Sequence, residues 1–324
     1  MTKACYVGVD GKARKVKKIY MGVSDVARKV KKGYVGVGGV ARPFCSAEPE
    51  LVYYGTATDL SVWHGELAAT TVRNYAIFGG GNQYSTTVDA YSDTLVRSTP
   101  TELSAGRSYL AATTVENYAL FAGGYSSSSL ATVDAYADTL VRSTPTELSQ
   151  VRSQLAATTV GNYALFAGGY SSSSLATVDA YADTLVRSTP TELSVGRLGL
   201  AATAVGNYAL FGGGYKSPET LTTVDAYSDT LVRSTPTGLR VPVHRNAATT
   251  VGNYALFGGG RVSYGGVYAT VDAYSDTLVR SAPTSLSADR YALAATTVGN
   301  YALFGGGIKK SGSSAVVDVY TITQ

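Results

Sequence analysis

The stretch Asn117–Gly124, Asn-Tyr-Ala-Leu-Phe-Ala-Gly-Gly, recurs along the chain with small exchanges. Its copies begin at Asn74, Asn117, Asn162, Asn207, Asn253 and Asn300, so they lie 43 to 47 residues apart. A period of 40 to 50 residues with several short strands in each unit is typical of β-propellers. The alternative, a helical array, would show a 3.6-residue periodicity that these units lack. The repeats therefore predict an all-β chain built from six similar units.

Each unit predicts four strands separated by turn residues, which we name A to D in chain order. Strand B is apolar on both faces, as expected for a sheet packed between two neighbours, and the glycines after it suit positive φ or a close backbone approach. In the second unit the predicted strands are A, Leu110–Val115; B, Tyr118–Phe121; C, Thr132–Tyr136; and D, Thr139–Ser143.

The two ends of the array predict how the ring closes. The sixth unit supplies A, B and C, but the sequence ends before a full strand D. The missing strand precedes the first unit, where Val52–Ser61 aligns with Leu95–Ser104. We therefore expect this N-terminal strand to close the last blade of a six-bladed β-propeller, which removes exposed sheet edges.

The units resemble the kelch repeat over residues 47–324. The resemblance lies in the double glycine after strand B, a Tyr on strand C and an Arg three residues before predicted strand A. It implies a propeller whose arginines point into a central pocket and meet anionic groups. The strand C tyrosines are Tyr91, Tyr136, Tyr181, Tyr227, Tyr274 and Tyr320.

Residues 1–46 differ from the rest in charge and period. They carry eleven basic and two acidic residues in 14-residue repeats that begin at Tyr6, Tyr20 and Tyr34. Asp10-Gly11 and Gly38-Gly39 are hairpin turn signals, so we expect a small basic β-meander module. Its basic stretches could form an attachment surface, a solvated face or a nucleic-acid signal, and the interleaved Val and Tyr argue against the last. The candidate attachment residues are Lys15, Lys17, Lys18, Lys29, Lys31 and Lys32.

The pattern Tyr-x-Gly-Val followed by Ala-Arg-Lys-Val-Lys-Lys resembles N-terminal segments of tail-associated proteins in phages and prophages of Gram-positive gut bacteria. The resemblance implies a virion or tail-like particle assembled in the host cytoplasm. Residues 1–46 would then bind other tail proteins in a homo-oligomer, and the propeller would face outward. Cys5 and Cys45 bracket this module, and both a disulfide and two free thiols remain open.

The sequence shows no catalytic constellation. It has two histidines and no phosphate loop, nucleophile elbow or zinc-protease motif, so we expect no enzyme activity, cofactor or metal. No apolar run approaches the roughly 18 to 20 residues that span a bilayer.

One Asp recurs on each strand C, which favours a structural hydrogen bond. These residues are Asp89, Asp134, Asp179, Asp225, Asp272 and Asp318.

Binding is the more promising function, because the B–C loops vary between units whereas the A–B and C–D turns barely change. The D–A and B–C connections should share one face of the propeller. The alternative for the arginines before strand A is a structural pair with Glu102, Glu147 or Glu192. The candidate ligand-binding residues are Arg107, Arg152, Arg197, Arg290, His64, Tyr125, Tyr170 and Tyr215.

These observations lead to one functional hypothesis and one rival. The first is a non-enzymatic component of a phage tail whose propeller recognises a host surface glycan, teichoic-acid-like polymer or protein. The rival is an intracellular kelch-type adaptor between proteins. The two differ in whether the chain associates with a particle and a cell envelope.

Overall fold

The structure is a computed structural model that describes residues 56–62 and 65–322, together with the backbone of six strands between residues 6 and 46. Contacts divide the chain into two compact units, Met1–Thr56 and Ala57–Gln324. The predicted domain boundary after residue 46 stays a prediction.

The first unit contains three antiparallel hairpins, and each is a separate two-stranded sheet in its described part. Equivalent residues pair in each, as in Tyr6 with Lys15 and Tyr20 with Lys29, so the 14-residue repeat is a hairpin repeat. The turns, Lys17, Lys18, Lys31 and Cys5 lie outside the described residues. The strands are Tyr6–Val9 with Lys12–Lys15, Tyr20–Val23 with Val26–Lys29, and Lys32–Val37 with Val40–Ser46.

The second unit is a six-bladed propeller arrangement of antiparallel sheets in strand order A-B-C-D, as predicted. The inner strands A are Ala68–Val72, Ala111–Val115, Ala156–Val160, Ala201–Val205, Ala247–Val251 and Ala294–Val298. Strands B are Tyr75–Gly79, Tyr118–Ala122, Tyr163–Ala167, Tyr208–Gly212, Tyr254–Gly258 and Tyr301–Gly305. Strands C are Val88–Ser92, Val133–Ala137, Val178–Ala182, Val224–Ser228, Val271–Ser275 and Val317–Thr321.

The outer strand D is shorter than the sequence predicts, because the C–D turn is longer. In blade 2 the turn continues through Leu140, which has a φ of 62° and donates its N–H to Ala137 O. Only then does the chain pair with strand C. The described strands D are Arg97–Ser98, Arg142–Ser143, Arg187–Ser188, Arg233–Ser234 and Arg280–Ser281.

The B–C loops carry the remaining regular structure. Blade 1 has a short 3-10 turn at Asn82–Tyr84. Blade 4 has a small hairpin of Tyr215–Lys216 and Glu219–Thr220, and blade 6 has one of Ile308–Lys309 and Gly312–Ser313. The repeat spacing varies because the B–C loops differ in length, whereas strands A, B and C keep one length.

Each of blades 2 to 5 packs one face of its sheet against the preceding blade and the other face against the following blade. From blade 2, Val115 and Leu120 pack against Phe166 and Tyr181 of blade 3, and all four are buried. Phe166 and Tyr181 meet edge to face at 5.9 Å, a favourable aromatic geometry. The same residue types repeat at the following junctions, so the apolar pattern of strand B directly gives the propeller its core.

Strands A of neighbouring blades are bridged by threonine hydroxyls. Thr70 and Thr114 hydroxyls lie 2.8 Å apart, and those of Thr113 and Thr159 lie 2.9 Å apart. Equivalent pairs join blades 4 to 5 and 5 to 6. The junction of blades 3 and 4 cannot form this pair, because Ala204 stands where the other blades have Thr.

The last blade differs from the others in exposure. Val298, Val317 and Val319 of blade 6 occupy positions that are buried at the other junctions, yet they are 52%, 53% and 52% exposed. Blade 6 shows strands A, B and C in its described part. Val52–Gly55, the residues predicted to supply strand D, lie outside the described residues, so the closing strand stays a prediction.

The alignment behind that prediction is supported by the linker that follows. Tyr91 Oη donates to Thr58 O in blade 1, just as Tyr136 Oη donates to Thr101 O in blade 2. Ser61 N donates to the strand C aspartate of its blade, as the equivalent serines do in blades 2 to 4 and blade 6. Ala57–Ser61 therefore occupies the D–A linker position that its sequence indicates.

Candidate functional site

The arginines that precede strand A are buried inside their blades. Arg152 is 0% exposed, and its Nη2 lies 2.6 Å from Asp179 Oδ2 and 3.1 Å from Phe166 O. Arg187 Nη1 and Ser149 N approach the same carboxylate. Burial lowers the pKa of Arg152, and the charge of Asp179 opposes that shift. The carboxylate therefore ties the linker and strand D to strand C.

The same pairing recurs in three other blades, which corrects the prediction that these arginines bind a ligand. Because the four guanidiniums have no exposed surface, they cannot reach a ligand on the loop face. Their carboxylate partner is the strand C aspartate, so the alternative pairing with Glu102, Glu147 or Glu192 is also wrong. The buried pairs are Arg107 with Asp134, Arg152 with Asp179, Arg197 with Asp225 and Arg290 with Asp318.

Blade 5 pairs its strand C aspartate with a different arginine. Val243 takes the place of the buried Arg, and Asp272 instead accepts a hydrogen bond of 3.0 Å from Arg240 Nε in the linker. Asn246 stands where blades 2 to 4 and blade 6 have Leu. Its side-chain oxygen and nitrogen are buried without a hydrogen-bond partner in the described residues. In blade 1 the equivalent of the buried Arg is His64, which lies outside the described residues.

The double glycine after strand B allows the backbone of the B–C loop to approach the next blade closely. Gly123 and Gly124 have φ values of 65° and 112°. A Cβ on Gly123 would lie 2.6 Å from Arg152 O of the next blade, so no other residue fits there without a shift. Gly124 N donates to the same carbonyl. The glycines thus anchor each B–C loop to the next blade.

A chain of backbone hydrogen bonds runs around the axis on this face. In blades 2 to 6, the residue two positions before strand A donates its N–H to the equivalent carbonyl of the preceding blade, with distances of 2.8 to 3.3 Å. All six residues have positive φ between 51° and 62°. We call this set the inner ring; it consists of Glu66, Tyr109, Gln154, Gly199, Arg245 and Ala292.

The inner ring holds six different residues, five side chains and one glycine, at one repeated backbone position. Tyr109 Oη donates to Glu66 Oε1, and this bond, with burial and the nearby negative charge, raises the pKa of Tyr109. Arg245, three blades away, lowers that pKa by its positive charge. The inner ring therefore carries an acid, a phenol, an amide and a guanidinium.

The first residue of each B–C loop forms a second layer outside the inner ring. Tyr125 exchanges backbone hydrogen bonds with Ser108, and Tyr170 does so with Ser153. Their side chains are 38% and 40% exposed. The predicted site residues Tyr125, Tyr170 and Tyr215 thus lie on the loop face, as expected. We call this set the outer ring; it consists of Asn82, Tyr125, Tyr170, Tyr215, Arg261 and Ile308.

The outer ring divides into a half with tyrosines, in blades 2 to 4, and a half with Arg261 and Ile308, in blades 5 and 6, where the blade 5 loop also exposes Tyr264. Blades 1 to 4 present tyrosines, and Tyr84 contacts Tyr125 with ring centroids 6.0 Å apart. Blade 5 presents Arg261, whose guanidinium carbon lies 4.9 Å from the centre of the Tyr291 ring. His244 lies between these halves, 5.6 Å from the Tyr215 ring. Burial, then Arg261 and Arg245, lowers the pKa of His244 to about 4.

Sequence reasoning found the outer-ring tyrosines but missed the inner ring. The signal was present, because Glu66, Tyr109, Gln154 and Arg245 occupy a position that differs in every blade, although the Leu that follows it recurs in five of the six blades. Within the described residues no cluster of His, Cys, Asp or Glu is suited to hold a metal ion. No helix among them has the length and hydropathy to cross a membrane.

Comparison with known proteins supports the fold. No protein-family model and no curated protein matches the chain. The solved structure of YjhT is similar to it with a TM-score of 0.66 and 12% identity, covering 82% of this chain and 97% of that one. At this identity the likeness shows the fold alone. The chain is therefore a six-bladed β-propeller, whereas its kelch-like classification stays a prediction.

Proposed function

We propose that this propeller is a binding module, not an enzyme, and that its loop face recognises a polyhydroxylated ligand such as a cell-surface glycan. One observation carries the proposal: six different residues occupy one backbone position around the axis, linked by hydrogen bonds from blade 1 through to blade 6. A fixed backbone with variable side chains is how rigid scaffolds present recognition residues.

The chemistry of the loop face suits such a ligand. Exposed tyrosines offer flat apolar surfaces with a hydroxyl at the edge, which stack on sugar rings and hydrogen-bond to them. Glu66, Gln154 and Arg245 add acceptors and donors in the centre. By contrast, the repeated Arg and Asp residues are held in buried pairs, so they contribute to folding rather than to acid–base chemistry.

We further propose that the chain belongs to a phage tail or tail-like particle. The support is the resemblance of the basic 14-residue repeats to N-terminal segments of tail-associated proteins. In this proposal residues 1–46, including Lys15, Lys29 and Lys32, attach the chain to other tail proteins as a homo-oligomer. The propeller then carries the receptor-binding surface toward a Gram-positive host.

A binding assay with the full-length chain tests this function. Labelled protein is mixed with envelope preparations of Gram-positive bacteria, and the bound fraction is measured. We expect the double variant Tyr125→Ala, Tyr170→Ala to bind at least about ten-fold more weakly, because exposed aromatic anchors dominate such surfaces.

The control is Val141→Ser, Val186→Ser, which changes two exposed residues of the same blades in the C–D turns on the opposite face. It should bind like the wild type. Absence of envelope binding by the wild type would contradict the receptor role. Equal loss in both double variants would show that the loop face is not the binding surface.

A further inference from the structure

A cavity between the loops of blades 5 and 6 has the features of an anion site. It measures about 410 Å³ and is lined by both B–C loops and by the residue before the inner ring of blade 6. This volume is in the usual range for small-molecule sites. The lining residues that carry the argument are Arg261, Tyr291, Lys309, Lys310, Gly265 and Gly312.

The cavity is strongly cationic. Arg261, Lys309 and Lys310 lie on its wall, and none of the described residues that line it is an Asp or Glu. Arg261 also makes no ion pair with any carboxylate in the described part of the chain. This contrasts with Arg152 and its equivalents, whose charge is already matched. Three cations without a neutralising partner favour an anionic ligand.

Arg261 is held in place rather than free to move. Its backbone exchanges hydrogen bonds of 2.9 and 3.0 Å with His244, and its guanidinium lies over the Tyr291 ring. A ring at this distance restrains the guanidinium, whose N–H groups make no ion pair with a carboxylate of the described residues. Its planar fork can bind two oxygens of a phosphate or carboxylate.

The residues equivalent to Arg261 in other blades show whether the fold needs an arginine at this position. Blades 2, 3 and 4 have Tyr125, Tyr170 and Tyr215 at the equivalent outer-ring position, with the same backbone pairing to the residue before the inner ring. The propeller therefore does not need an Arg there. Gly265 and Gly312 have no atom within 4 Å of an added Cβ, which leaves the cavity open to solvent.

We infer that this cavity binds the anionic group, phosphate or carboxylate, of a sugar-containing ligand. The inference deepens the proposed function, on which it rests, by assigning the receptor a negative charge. The aromatic half of the loop face then contacts neutral sugar rings, and the cationic half contacts the charged substituent.

The test compares glucose 1-phosphate, glucuronate and glucose as probes of the full-length chain by titration calorimetry. We expect the two anions, or the phosphate alone, to bind with a Kd of about 1 mM or tighter. Glucose should bind at least about ten-fold more weakly, and added salt should weaken only the anions. Binding of both anions identifies general anion recognition, and binding of the phosphate alone identifies phosphate as the source.

The decisive variant is Arg261→Tyr, which installs the residue of three other blades. It should lower affinity for glucose 1-phosphate about ten-fold or more. Lys309→Ala should also weaken it, whereas Lys216→Ala, which removes an exposed cation outside the cavity, should not. Undiminished affinity in both cavity variants, or no anion binding by the wild type, would overturn the inference.

The two proposals fail in distinguishable ways. Anion binding that depends on Arg261, without any envelope binding, would leave the cavity site in place and reject the receptor role. Envelope binding that is unchanged by Arg261→Tyr would keep the receptor role and reject the anion site as part of it.

Discussion

Blades 3 and 5 share strands, registers and an aspartate on strand C, yet they place their positive charge differently. Blade 3 buries Arg152 against Asp179 and presents Tyr170 on the loop face. Blade 5 has Val243 in the interior and presents Arg261 outside. Both blades nevertheless pair the strand C carboxylate with an arginine of the linker, Arg152 with Asp179 in blade 3 and Arg240 with Asp272 in blade 5, so this cation can come from more than one position.

The largest expected effect comes from breaking the pair in blade 3. Arg152→Ala leaves Asp179 buried with less compensation, which should lower the free energy of unfolding by about 3–5 kcal/mol. In blade 5, Arg240→Ala removes a cation that is one-third exposed, so we expect a loss of about 1 kcal/mol. Chemical denaturation of both variants measures the difference.

A rescue variant sharpens this result. Ser149 occupies the linker position that Arg240 has in blade 5, so Ser149→Arg with Arg152→Val copies the arrangement of blade 5 into blade 3. This double variant should be more stable than Arg152→Val alone. Equal stability of the two variants would show that an arginine at the linker position does not compensate for the loss of the buried arginine.

A gain of stability is expected from Asn246 in blade 5. Asn246→Leu replaces a buried amide without partners by the residue of blades 2 to 4 and blade 6, and it should raise the free energy of unfolding by about 1–3 kcal/mol. Leu155→Asn in blade 3 is the matched opposite change and should be destabilising. A destabilised Asn246→Leu variant would indicate that the amide has a structural role in blade 5.

The sequence predicts the repeated part of this molecule well, because the apolar strand B, the glycine pair and the strand C residues each have one physical role. It does not predict the partner of Arg152, since Asp179 is 27 residues away and only the folded blade brings them together. The short strand D was missed because nothing in Asp138-Thr139-Leu140 indicates a positive φ at leucine. The inner ring was missed because its hydrogen bonds cross between blades.

The smallest effect concerns pH and His244. Its pKa is lowered to about 4 in the folded chain from an ordinary value of 6.5, so the unfolded chain binds more protons between these values. Stability should therefore fall as the pH falls from 6.5 to 4. His244→Ser, which installs the residue of blades 2 and 3, should remove this part of the fall. Unfolding curves at pH 7, 5.5 and 4 compare the two proteins.

The inner ring has a consequence for engineering. Its hydrogen bonds from blade to blade are made by the backbone, so they do not depend on which side chain is present; Tyr109 and Glu66 alone add a side-chain hydrogen bond between blades 1 and 2 among the described residues of the ring. The positive φ disfavours Val, Ile and Thr and excludes Pro, which also has no N–H to donate, and none of these occurs among the six natural residues. A library randomised at these six codons, without Pro and β-branched residues, would offer a compact surface on which new specificities could be selected.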